Sequence, residues 1–215
     1  MTATSLARIV ALIPVRSLEG AKSRLGESLD AEERADLVVA FLRRTVEQAL
    51  AASKLSGVVV VSEDVDLLRS ARTMGAASLH QRQPGLNPGL DEARTAAGRE
   101  PTAILVLPVA LPEIASSAID AVAEAAELAL RAAPDRPVVV LVPDRHGTGT
   151  NALLIAPPNA IEFRFGTDSR AAHAAAAAAA GASYVETSGP LAFDVDTPED
   201  LLEADRRGLG HSAGR

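Results

Sequence analysis

Four predominantly apolar runs constrain this chain more than any other feature: IVALI (9–13), GVVVVS (57–62), TAILVLP (102–108) and VVVLVP (138–143). None alternates polar with apolar residues, so each reads as a short strand covered on both faces, as in a parallel sheet. Helical periodicity fills the stretches between them. Asp30 with Glu33 three residues on forms a capping box. Leu37, Val38, Phe41, Leu42, Thr45, Val46, Ala49 and Leu50 then make one apolar stripe. Further helices are predicted over 65–74 (stopped by Gly75), from Asn87-Pro88 as cap and first position, from Ser116 or Ser117 to about Ala133, over 169–180, and from Thr197-Pro198-Glu199. A short strand is expected at 77–80, and YVE (184–186) and LAFDVD (191–196) read as late strands. TNALLIAP (150–157) follows VVVLVP after a turn too short for a crossover helix, so that pair should be antiparallel. The expectation is a single α/β domain over residues 1–208, with a mostly parallel sheet flanked by helices and a small antiparallel portion. Residues 209–215 are expected to be a disordered tail.

Composition removes several classes of function. With no cysteine among 215 residues, disulfides, thiolate metal sites and a cysteine nucleophile are all excluded. That absence fits a cytoplasmic protein. The N-terminal segment lacks the length and flanks of a signal peptide, and no apolar run is long enough to span a bilayer, so no membrane partner is expected. A formal net charge of −7 argues against nucleic-acid binding, and four Phe, one Tyr and no Trp leave little to stack bases on. The four histidines lack HxxxH or HExxH spacing, so His80, His146, His173 and His211 give no zinc signal. Neither a GxSxG elbow, a GxGxxG loop nor a P-loop occurs.

In a parallel α/β sheet, ligands bind beyond the carboxyl ends of the strands, and the polar residues gather there. Arg16, Lys22 and Arg24 follow the first strand in an irregular glycine-containing stretch able to offer fixed positive charge to a polyphosphate, or to be an ordinary basic surface loop. Ser62 and Asp64 follow the second strand, and Asp144, Arg145 and His146 follow VVVLVP. Asp194 and Asp196 lie two apart, on one face if LAFDVD is a strand. Two such carboxylates suit a Mg²⁺ ion shared with substrate phosphates; alternatively, Asp196 or Thr197 serves only to cap the helix that follows. GTGTN (147–151) and FGTDS (165–169) each combine a glycine that admits close approach with hydroxyls, Ser169 standing at or near a helix start.

AKSRL, GLNPGL (85–90), LPVALP (107–112), PDRHGTGTNALL, FRFGTDSRAAH and FDVDTPEDL together resemble, in the same order, the 2-phospho-L-lactate and phosphoenolpyruvate guanylyltransferases of coenzyme F420 biosynthesis. The resemblance runs from about residue 9 to about residue 207 and implies a Rossmann-like nucleotidyltransferase fold. It implies transfer of GMP from GTP to a small phosphorylated three-carbon acid, with release of pyrophosphate. Lys22 and Arg24 would hold the triphosphate and stabilise the leaving pyrophosphate. Arg16 would assist them, and Asn87 would lie on the nucleoside side. Thr150, Gly166 and Ser169 would meet the acid substrate, and Asp194 and Asp196 would bind Mg²⁺. His173 also matches a family histidine, either as a phosphate donor or as a packed ring. A homodimer is the expected assembly. The chain departs from the pattern at Ala110, where relatives usually carry an aspartate. Alanine cannot ligate a metal. Beside the working guanylyltransferase there remain a nucleotide-binding homologue without turnover and a nucleotidyltransferase acting on another phosphorylated acceptor.

Overall fold

The computed structural model describes residues 6–18, 25–26, 28–98 and 101–209. Seven strands form one sheet: β1 (Ile9–Pro14), β2 (Leu55–Ser62), β3 (Ala77–His80), β4 (Ala103–Val106), β5 (Val138–Pro143), β6 (Thr150–Ala156) and β7 (Ser183–Glu186). Their order is β3-β2-β1-β4-β6-β5-β7, with β6 antiparallel to both of its neighbours and every other pairing parallel. The helices are α1 (Ala31–Ala51), α2 (Val65–Thr73), α3 (Leu86–Ala97), α4 (Ser116–Ala132), α5 (Ser169–Ala179) and α6 (Pro198–Arg206). None of the described helices is long and apolar enough to cross a membrane.

The continuous apolar runs have a direct physical cause. Successive side chains on a strand face opposite ways, and each face of this sheet is roofed. Ala103 and Leu105 of β4 point into the layer that packs α1, α2 and α4, while Ile104 and Val106 point toward α3 and α5. β5 divides the same way, with Val138, Val140 and Val142 on one side and Val139 and Leu141 on the other. Each fully buried Leu or Ile contributes about 1.5–3 kcal/mol relative to exposure. A third cluster closes one end, formed by Leu25, Leu37, Phe41, Phe193, Val195 and Ala204.

Local signals mostly match. Asp30 accepts from the Glu33 amide at 2.9 Å and Glu33 returns a bond from the Asp30 amide at 2.8 Å, so α1 begins with the expected capping box. The predicted stripe is buried from Leu37 to Ala49, but Leu50 lies 44% exposed at the edge of the helix face. Two expectations need correction. Asn87 does not cap α3: the helix starts two residues earlier than expected, at Leu86 after Gly85, whose φ of 105° favours glycine, and the Asn87 side-chain amide is engaged elsewhere. LAFDVD is not a strand. Pro190–Ala192 make a 3-10 turn, and the following residues run extended without joining the sheet. Their tie to β4's side is the Val195 amide, which donates to the Ala110 carbonyl at 3.0 Å. The apolar residues there, Phe193 and Val195, are buried in the small end cluster rather than in a sheet face.

Candidate functional site

The strand order brings separate loops to one rim. β1, β4, β6 and β5 are consecutive across the sheet. Because β6 runs antiparallel to its neighbours β4 and β5, its first residues, not its last, lie at their carboxyl ends. Thr150 and Asn151 therefore open beside the loops that follow β1, β4 and β5.

The turn before β6 is tightly held. Asp144 accepts from the Thr148 amide at 2.8 Å through Oδ1, while its own amide donates to the Gly149 carbonyl at 3.3 Å. A Cβ on Gly149 would meet Asp144 Oδ2 at 2.8 Å, so a larger residue there would displace the Asp144 carboxylate. Arg170 fastens the other side: its amide donates to the Thr148 carbonyl at 3.1 Å, and its guanidinium to the Gly147 carbonyl at 2.9 Å and in a fork to Glu186 at 2.9 and 2.7 Å. The Thr148 amide is thus occupied by Asp144 rather than open to an anion. A shallow groove of about 280 Å³ lies outside this turn, lined by Gly147, Thr148, Asp168, Arg170, Ala174 and Glu186, and reaches none of Thr150, Gly166 and Ser169.

Thr150 and Ser169 come together. Ser169 Oγ donates to Thr150 Oγ1 at 3.1 Å, and both residues are buried. Ser169 is the first residue of α5. The cap position belongs to Asp168, which has a left-handed φ of 54° and makes no side-chain cap bond, leaving the helix start without a side-chain acceptor. Gly166 lies just before it at φ 135°, and the space where a Cβ would stand is open, with no atom within 4 Å. His173, one turn into α5, completes the group. Its Nδ1 is 3.1 Å from Thr150 Oγ1, and its Nε2 accepts from the Arg164 amide at 2.9 Å. Burial pushes its pKa down to about 4, with the Arg164 charge adding to the effect and the Ser169 carbonyl opposing it. The ring packs in a T-shaped arrangement with Phe165, the centroids 4.9 Å apart. Of the two readings of this histidine, the structure shows the packed ring, buried with both nitrogens engaged.

Asn87 reaches the same region from α3. Its Nδ2 donates to the Phe165 carbonyl at 3.0 Å and its Oδ1 accepts from the Phe165 amide at 2.9 Å, clamping the strand-like segment that leads into Gly166.

Asn151 joins this pocket to the acidic segment. Its buried side chain donates to Asp194 Oδ1 at 3.2 Å. Asp194 and Asp196 are both half-buried and alternate with buried Phe193 and Val195, so the pair shares one side of the extended segment. Thr197, not Asp196, caps α6, in a capping box with Asp200. Asp200 Oδ2 gathers the Asp196 amide at 3.0 Å, the Thr197 amide at 2.8 Å and the Thr197 hydroxyl at 2.9 Å. Asp200 Oδ1 faces Arg145 as an ion pair without an aligned hydrogen bond. Burial alone would raise the Asp200 pKa; the bonds from Asp196 and Thr197, with the Arg145 charge, outweigh it and hold the carboxylate below its usual range. Among the described residues, no three His, Asp or Glu side chains form a metal cage. Two half-buried carboxylates are still the donor set that suits Mg²⁺ arriving with its own phosphate oxygens.

Arg16 lies exposed just beyond β1. Lys22 and Arg24 lie outside the described residues. The described residues on either side of them are held in place, however. The Leu18 amide donates to Asp64 Oδ2 at 3.3 Å, and Leu25 is buried with Phe193 and Val195, the residues that flank Asp194. Ser62 plays a local part, its hydroxyl accepting from the Asp64 amide at 3.0 Å, while Asp64 caps α2.

The family described as "Guanylyl transferase CofC like" matches residues 9–213. The chain belongs to this CofC-like family. A protein of Rubrobacter xylanophilus named phosphoenolpyruvate guanylyltransferase is 42% identical over 202 residues, covering 93% of this chain and 95% of that protein. One of the same name from Sphaerobacter thermophilus is 40% identical over 196 residues, covering 90% and 91%. Among solved structures, a nucleotidyl transferase from Methanothermobacter thermautotroptrophicus superposes with a TM-score of 0.62 at 16% identity, covering 94% of this chain and 97% of that one. The CofC-like family thus carries a nucleotidyltransferase fold in this chain, as the sequence motifs imply.

Sequence reasoning missed Asn151 and Asp200. Asn151 was visible as a lone amide at the head of an apolar strand, and Asp200 as the third residue after a Thr-Pro helix start.

Proposed function

We propose that the chain transfers GMP from GTP to phosphoenolpyruvate, releasing pyrophosphate, as a step of coenzyme F420 biosynthesis in the cytoplasm. The observation that supports this reading is the Asn151–Asp194 hydrogen bond at 3.2 Å, which ties the residue next to Thr150 to the acidic pair. The names of the relatives supply the acceptor, and 2-phospho-L-lactate is the close alternative within the same pocket.

The attacking atom is an oxygen of the acceptor phosphate, already anionic, so no protein nucleophile is required. A bond forms from that oxygen to the α-phosphorus of GTP as the α–β bridging bond breaks, and pyrophosphate leaves with the bonding pair. Catalysis reduces to holding the reactants in line and neutralising charge. Thr150, Ser169 and the backbone at Gly166 hold the acceptor's phosphate and carboxylate. Arg16, Lys22 and Arg24 meet the triphosphate, and Asn87 shapes the nucleoside side through its clamp on Phe165. Asp194 and Asp196 would hold Mg²⁺, which would supply positive charge to offset that of the phosphates.

Ala110 favours a second reading, a homologue that binds nucleotide without turnover, because its carbonyl lies against Val195 between the two aspartates and it brings no carboxylate there. A screen of nucleotides against phosphorylated acids, read by pyrophosphate release in the presence of Mg²⁺, tests both. Turnover with GTP and phosphoenolpyruvate supports the proposal. Thermal stabilisation by GTP with no pyrophosphate from any acceptor supports the silent homologue.

A further inference from the structure

His173 takes no part in the bond changes just described, yet its ring is completely buried with both nitrogens engaged. The Arg164 amide can only donate, and it meets Nε2 at 2.9 Å. Nε2 is therefore bare and the ring proton sits on Nδ1. Nδ1 lies 3.1 Å from Thr150 Oγ1, and Ser169 Oγ donates to that oxygen at 3.1 Å. A threonine hydroxyl has two lone pairs and one proton. With both lone pairs facing donors, its own proton turns outward. In the opposite tautomer Nδ1 would accept the Thr150 proton, and the pocket would show a lone pair to an anion.

We infer that His173 is a positioning residue: the Arg164 backbone locks its Nδ1–H tautomer, which makes the Thr150 hydroxyl an obligatory donor toward an anionic group of the acceptor. The inference rests on the reading that the acceptor sits against Thr150. It assigns His173 no contact with substrate and no positive charge in the working enzyme.

Two amide variants separate the two ring nitrogens. In His173→Asn the side-chain NH₂ falls near the place of Nδ1 and still donates to Thr150, while the Arg164 amide loses its acceptor. In His173→Gln the carbonyl reaches the place of Nε2 and keeps Arg164 bonded, while Thr150 loses its donor. The rankings cross: the Gln variant melts higher, yet it weakens phosphoenolpyruvate binding about tenfold, and the Asn variant stays within about threefold of wild type. GTP affinity is unchanged in both. The same ranking in stability and in acceptor binding means a merely structural histidine and overturns the inference.

¹⁵N NMR of the imidazole in the unliganded protein reads the tautomer independently of turnover. An Nδ1–H ring that does not titrate between about pH 8 and 5 is expected; an Nε2–H ring overturns the assignment. If phosphoenolpyruvate binds with the crossed rankings but is not guanylylated, the proposed reaction falls and the role of His173 stands. If it does not bind at all, both fall.

Discussion

Asp200→Asn is the perturbation whose size follows most directly from the structure. Asp200 is 3% exposed, with three donors on Oδ2 and the Arg145 guanidinium facing Oδ1. The amide keeps the shape but brings an NH₂ group that must face either Arg145 or the Asp196 and Thr197 amides, donor against donor. A hydrogen bond to a charged group contributes about 1.5–3 kcal/mol, and breaking a buried pair costs about 3 kcal/mol or more. We expect a loss of about 3 kcal/mol in urea unfolding. For a chain of this size that lowers Tm by roughly 6–12 °C. Because the folded pKa of Asp200 is held low, its stabilisation is complete above the unfolded value and is lost as pH falls through the lower folded one. The gap between wild type and variant should therefore be constant from about pH 7 to 5 and close below about pH 4. Adding Arg145→Met to the variant should cost little more, since the pair is already broken. A loss under about 1 kcal/mol, or full additivity of the two changes, would refute the reasoning.

Three further outcomes are expected. Thr150→Val removes a hydroxyl with little change in volume, and should raise KM for phosphoenolpyruvate about tenfold with KM for GTP unchanged, read from initial rates. His173 is depressed to about 4, so between about pH 6.5 and 4 the unfolded chain takes up a proton that the folded one refuses; stability should fall by up to about 3 kcal/mol across that window, and the slope should vanish in His173→Gln. Ala110→Asp places a third carboxylate beside Val195 and should raise turnover at limiting Mg²⁺ by about tenfold or more; unchanged turnover would mean that Asp194 and Asp196 suffice.

The sheet was legible because burial on both faces leaves an unmistakable pattern, and the antiparallel β6 because five or six residues cannot carry a crossover. The α1 and α6 starts were legible because capping boxes are local. LAFDVD misled because alternation records which side chains are buried, not whether the backbone has a partner strand; here Phe193 and Val195 are buried by α1, α6 and Leu25 instead. Asn87 misled because an amide before proline at a helix start reads as a cap, while its preferred partner, Phe165, lies 78 residues away. The members of the hydroxyl pocket could be named from sequence, but the histidine's tautomer could not: it is set by a backbone amide from a neighbouring loop.

The most direct test of the central claim is a ³¹P NMR spectrum of the purified protein with GTP, phosphoenolpyruvate and Mg²⁺. The account predicts pyrophosphate together with a new diphosphate-diester signal, and a fall on the order of a hundredfold in their rate of appearance in either Asp194→Asn or Asp196→Asn. Product forming at the wild-type rate in both variants would contradict it.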